Sequence, residues 1–202
     1  MRGRVMVVCA LSAVACLAFA SAASAASAAS HPQERHGFWI GLGGGVGSAK
    51  ATCDDCGPGN RETGVAAYLK LGGTLNERLL LGGEFNGWSK KQEGVTVTFG
   101  SAAATLTFYP QPASGLFIKG GVGLSFVDTE FREGSTTVTI DPGYGLGAIV
   151  GVGYDVRVGK NISITPAVNF WYGKPGNVPH DEPLITNWKQ NVVDFTVGVT
   201  FH

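Results

Sequence analysis

From Gly37 to His202 the chain repeats one pattern: apolar and polar residues alternate for about ten residues, then a cluster rich in Gly, Pro, Asn or Asp follows. The segment "NVVDFTVGVTFH" (191–202) is the clearest instance. Val193, Phe195, Val197, Val199 and Phe201 fall on one phase, and Asp194, Thr196, Gly198, Thr200 and His202 on the other. A period of two sends the two sets to opposite faces of a β-strand. Eight strands are predicted, over residues 37–49, 62–75, 79–89, 95–109, 115–129, 143–157, 161–173 and 191–202, with no amphipathic helix between them. A strand that runs to the last residue needs a partner for its backbone groups.

The connections alternate in length. "NER" (76–78), "PQPAS" (110–114) and "VGK" (158–160) are tight, whereas 50–61, 90–94, 130–142 and 174–190 are mostly longer. Short turns and longer loops therefore lie at opposite ends of an up-and-down sheet. The mean hydropathy of +0.14 is high for a water-soluble domain, yet no stretch after residue 30 approaches the roughly 18 apolar residues of a membrane helix. An even number of strands of about ten residues, with turns short at one end, is what a bacterial outer-membrane barrel requires.

A soluble lipocalin-like barrel alternates too, so the composition of each phase has to separate the two. The polar phase carries Gly41, Gly43, Gly45 and Gly47, then Gly145, Gly147, Gly151 and Gly153, which suits a crowded lumen better than a wetted surface. The other phase is bulky: Val65, Leu69 and Leu71, then Leu79, Leu81 and Phe85, then Ile118, Val122 and Leu124. Such side chains can face lipid without filling a volume. Aromatics at Phe38, Trp39, Trp88, Phe108, Tyr109, Phe126, Tyr144, Tyr154, Trp171 and Tyr172 lie near strand ends and are expected to form two interfacial girdles.

The start of the chain reads as a secretory signal peptide. Arg2 and Arg4 precede an apolar run from Val5 to Ala20, and "SAASAASAAS" supplies small-residue cleavage sites within Ala22 to Ala29. The expected organisation is a signal peptide over 1–29 and one barrel over 30–202. Cys53 and Cys56 would then remain in an exported protein, where a local disulfide is the plain reading. A zinc or redox role lacks the second cysteine pair or the strand–helix context it needs. The formal net charge is zero, with 15% charged residues, so nothing marks a nucleic-acid surface.

The signal peptide, the "GFWIGLGGGVG" first strand, the eight alternating segments and the near-terminal Phe201 together resemble the small outer-membrane β-barrel superfamily, the OmpA/OmpX-like group of porin-family proteins. The resemblance is one of pattern over the whole mature chain. It implies an all-β, eight-stranded antiparallel transmembrane barrel in the bacterial outer membrane, in contact with outer-membrane lipid and monomeric. It also implies that Phe201 belongs to the strand signal read by the barrel-assembly machinery; His202 after it departs from the family's terminal aromatic. The last strand is predicted to close the barrel on the first.

Lys70, Glu84, Asn86, Lys119, Asp155, Arg157, Asn169 and Asp194 fall on the polar phase. A Lys or Arg facing lipid near the midplane costs about 2–4 kcal/mol, so Lys70, Glu84, Lys119, Asp155, Arg157 and Asp194 are expected inside, forming ion pairs. A three-residue turn at 76–78 would place Leu75 opposite Leu79 and Lys70 opposite Glu84. In the fourth strand, Val95, Val97 and Phe99 sit on one phase and Leu106 and Phe108 on the other. Either a bulge near Gly100 to Ala102 switches the facing, or the upper part stands above the membrane. "HDEP" (180–183) reads as a solvated loop rather than a metal site. No strand carries a His beside a Ser on one face, as a hydrolase would need. The expected protein is non-enzymatic, without cofactor, and structural, adhesive or surface-interacting through its longer loops. A narrow pore for small solutes and a lipid-modifying enzyme are the alternatives, and no surface ligand is specified.

Overall fold

The computed structural model describes residues 33–54, 59–92, 94–133, 136–178 and 185–202. The expected signal peptide, Cys56 and the "HDEP" segment lie outside these residues. The elements are β1 (Phe38–Thr52), β2 (Glu62–Asn76), β3 (Leu79–Gln92), β4 (Val95–Phe108), β5 (Leu116–Glu133), β6 (Thr136–Tyr154), β7 (Val156–Gly159), β8 (Ile162–Val178) and β9 (Ile185–Phe201). Neighbours pair antiparallel, and β1 pairs β9 from Ile40↔Phe201 to Thr52↔Lys189, which closes the sheet as the alternation required. Closure leaves no unpaired edge facing hydrocarbon. β6 and β7 are one barrel strand: Gly153↔Ala167 and Val156↔Ile164 keep a single register on β8 across the break at Asp155, and the register shifts only beyond Arg157. The result is an eight-stranded barrel.

The strands are longer than their apolar alternation suggested. Most of the expected loop 130–142 is strand, because β5 runs to Glu133 and β6 begins at Thr136. The β-branched run "TTVTI" favours the extended chain, whichever way its side chains face. The expected loop 174–190 shortens likewise, with β8 ending at Val178 and β9 starting at Ile185. Lengths of 14 residues or more in the membrane-crossing strands exceed the about 9–11 that cross a bilayer. The surplus lies at the outward end, opposite the tight turns.

Two local expectations change. The β2–β3 turn is Glu77 and Arg78 with a register shift between Thr74 and Asn76, so Asn76 rather than Leu75 stands opposite Leu79. A two-residue turn plus one extra residue in β2 yields the same register beyond it, and Lys70 does stand opposite Glu84. β4 contains no bulge: its pairing with β3 and β5 is continuous from Val95 to Phe108. Phe99 is buried while Leu106 and Phe108 are exposed. The apolar upper phase of β4 therefore points inward, where an apolar layer receives it.

Outside, Leu42, Val46, Val65, Leu69, Phe85, Ile118, Val122, Leu146, Phe170 and Val197 are exposed and form the lipid-facing band. Inside, glycine makes room for large side chains. A Cβ on Gly43 would stand 2.6 Å from a ring carbon of Tyr68, and one on Gly198 2.2 Å from its hydroxyl oxygen. Gly44, one residue on and facing out, would place its Cβ no closer than 3.5 Å to any atom. Gly43→Val is therefore expected to destabilise the barrel by about 1–3 kcal/mol through overpacking, and Gly44→Ala to stay within about 0.5 kcal/mol. Urea unfolding from lipid vesicles checks both.

Candidate functional site

The strand phases direct one continuous set of side chains into the lumen, and these sort into three layers. At the end of the tight turns lies an apolar layer of Trp39, Leu80, Tyr109, Phe117 and Ala167. A second apolar layer, toward the outward end, comprises Ala49, Trp88, Phe99, Ala103, Val127, Ile149, Trp171 and Val192, with Trp171 and Val192 at 0% exposure. Between them sit the charged and amide groups. The expected aromatic girdles are thus half right in placement: Phe38, Phe108, Tyr144 and Tyr172 are exposed, but Trp39, Trp88, Tyr109 and Trp171 fill the lumen. Their sequence parity, shared with the inward glycines, carries that signal.

All six charged residues expected inside are buried: Lys70, Glu84, Lys119, Asp155, Arg157 and Asp194. They do not pair as their number suggests. Glu84 takes the ammonium of Lys119, at 2.5 Å, and not that of Lys70 opposite it. β5 presents Lys119 past the intervening β4, a contact that hairpin register alone cannot reveal. Lys70 instead places Nζ 5.2 Å from the Phe117 ring centre, 5.6 Å from Tyr68 and 6.0 Å from Trp39, within the range of cation–π attraction. Asp194 accepts hydrogen bonds from Asn169 Nδ2 at 2.7 Å and Trp171 Nε1 at 3.0 Å. Arg157 donates to the backbone oxygen of Glu34 at 2.6 Å. Among the described residues neither Asp194 nor Arg157 forms an ion pair.

Asp155, at the break in β6–β7, gathers the inward end. It accepts from Tyr109 Oη at 2.6 Å and from Thr165 Oγ1 at 2.7 Å, and His202 Nε2 lies 3.5 Å away. Thr165 also meets Thr200 at 2.9 Å. The backbone N–H of His202 donates to Asn161 at 3.0 Å, so the residue after Phe201 extends the ladder by one step. A strap from the N-terminal side crosses below. Arg35 stacks 3.6 Å from the Tyr109 ring centre and donates to the backbone oxygens of Pro112 and Ser114, both at 2.9 Å. Nothing in the alternation announces Arg35, which precedes the first strand.

The arrangement neutralises charge but gathers no reactive set. Among the described residues no three His, Cys, Asp or Glu side chains lie close enough to hold a metal. Cys53 follows β1 at the outward end, and its expected bond to Cys56 falls outside the described residues.

The model of the outer membrane protein β-barrel domain matches residues 12–201. The chain belongs to this family. Its site of action is therefore the bacterial outer membrane, as closure and the lipid-facing band require. Among solved structures it is similar to Neisserial surface protein A, at 18% identity and a TM-score of 0.55, over 83% of this chain and 98% of that one. It is also similar to Ail, the attachment invasion locus protein of Yersinia pestis, at 13% identity and a TM-score of 0.56, over 83% and 100% of the two chains. These likenesses are of fold. No curated protein matches the sequence.

Glu84→Gln or Lys119→Met alone leaves a buried charge unmatched and is expected to cost about 3–5 kcal/mol, with the double change costing less than the sum. A double-mutant cycle in urea should show that coupling, and a weaker one for Lys70 with Glu84. His202 lies just beyond β9. Burial lowers its imidazole pKa below the ordinary 6.5, against the upward pull of Asp155. The unfolded chain therefore takes up this proton first as pH falls, and stability is lost as pH drops through about 6.5. The urea midpoint should fall between pH 7.5 and 5.5 at about 0.1 M salt, and His202→Gln should reduce that fall.

Proposed function

We propose that the protein is a non-enzymatic, non-conducting outer-membrane barrel that works at the cell surface, as a structural or adhesive element, through the outward ends of its strands. The observation that carries this reading is the filled lumen. Trp171, Ile149, Val192 and Phe99 pack the upper layer; Trp39, Phe117 and Tyr109 pack the lower; all are 4% exposed or less. An eight-stranded barrel has an interior only wide enough for side chains, and here large ones occupy it at both levels.

What remains available to partners is the part that stands clear of the membrane. The extended β5–β6 and β8–β9 hairpins and the segment after β1, with its Cys53–Cys56 pair oxidised, form that part. The barrel would act as a monomer, surrounded by outer-membrane lipid and inserted by the assembly machinery through its terminal strand and Phe201. Among the described residues, placement favours a non-catalytic role: His36 is exposed with no reactive partner set around it, and the His202 side chain is 1% exposed against Asp155.

Planar bilayers test the reading. The purified, refolded protein is expected to give no discrete conductance steps in about 1 M KCl at potentials of about 100 mV. Reproducible steps, abolished by boiling, would establish the narrow pore instead.

A further inference from the structure

Above the upper apolar layer the barrel mouth holds a cavity of about 590 Å³. Its wall is apolar: Ala51, Trp88, Val95, Val97, Phe99 and Trp188. Trp88 and Phe99 are stacked at 5.1 Å and 27°, and Trp188 meets Phe99 edge-on at 6.2 Å and 72°. The aromatic cluster thus lines the chamber as well as plugging what lies below it. At the rim Glu62 and Lys90 form an ion pair, and Asn60 and Gln92 supply neutral polar groups.

The volume falls within the about 300–1,000 Å³ of small-molecule sites, which are mostly apolar with a few polar groups to fix orientation. Among the described residues of its lining the charge is balanced, since the carboxylate of Glu62 and the ammonium of Lys90 satisfy each other. A charged ligand would have to break that pair or enter the apolar wall unpaired, at a large desolvation cost. Trp88 and Phe99, paired across β3 and β4, and Trp188 against Phe99 form one continuous aromatic surface, which favours a flat aromatic body over a saturated chain, because offset-stacked and edge-on arrangements add to the gain from area alone.

We propose that this mouth pocket binds a neutral small molecule with a flat aromatic body, held against the surface that Trp88, Phe99 and Trp188 form, with a polar end toward Asn60 and Gln92. Because the floor is closed, the ligand enters and leaves by the same opening. The inference shares with the proposed function only that closed floor: conductance tests the floor, and binding tests the pocket.

The test uses the full barrel in lipid nanodiscs, titrated calorimetrically with 2-naphthol, with protein-free discs giving the partition baseline. Saturable binding at one site above that baseline is expected. Ala51→Phe, which fills the pocket, and Trp188→Ala, which removes one wall, should each weaken it at least tenfold. Migration faster unboiled than boiled on a detergent gel shows that each variant has folded. 1-Dodecanol should show no saturable heat. The proposal is overturned if 2-naphthol does no more than partition into lipid, if both folded variants bind it as the parent does, or if dodecanol binds as tightly.

Discussion

The structure depends first on a rule about the backbone: within hydrocarbon, every N–H and C=O has to find a partner in the protein. The β1–β9 pairing, twelve residues of separation from Ile40 to Thr52 on one strand and Phe201 to Lys189 on the other, meets that rule. Everything else is a consequence of closure. A closed sheet has an inside and an outside, so the alternation that would merely make one face of an open sheet apolar must here satisfy lipid and a confined interior together. The outer phase needs only to be apolar. The inner phase has to be apolar, polar or minute according to height, and its side chains must fit a fixed volume.

Glycine solves the volume problem locally. Tyr68 is buried because Gly43 and Gly198 have no Cβ where its ring stands; Lys119 is accommodated in part by Gly151, whose Cβ would lie 2.8 Å from its Cε. Gly72 and Gly82 clear the space that Trp39 occupies. The glycines and the large inward side chains are therefore one feature seen from two sides.

Much of this was legible in the sequence, because period-two alternation depends only on which face meets lipid. The eight strands, the closure of last on first, the inward glycines and the burial of the six charged residues could all be read from parity. The register that sets Lys70 opposite Glu84 was legible too, although through a different turn. Three things were not. Strand length beyond the membrane escaped because apolar–polar alternation is required only where a strand meets lipid. The partner of Glu84 escaped because Lys119 reaches it past the intervening β4 rather than along a hairpin. The apolar upper phase of β4 read as a bulge or as strand above the membrane because a polar lumen was assumed throughout, whereas the pairing is unbroken and Phe99 joins a second apolar layer.

That second layer changes the setting of the charges beneath it. With Trp171 and Val192 above and Trp39 and Phe117 below, Glu84 and Lys119 lie in a compartment that mobile ions enter from neither side. Dissolved salt weakens attraction only where counterions can gather. Their attraction should thus be indifferent to the ionic strength of the medium, and the barrel's interior keeps the same electrostatic grip in dilute and in concentrated surroundings while its outward rim does not.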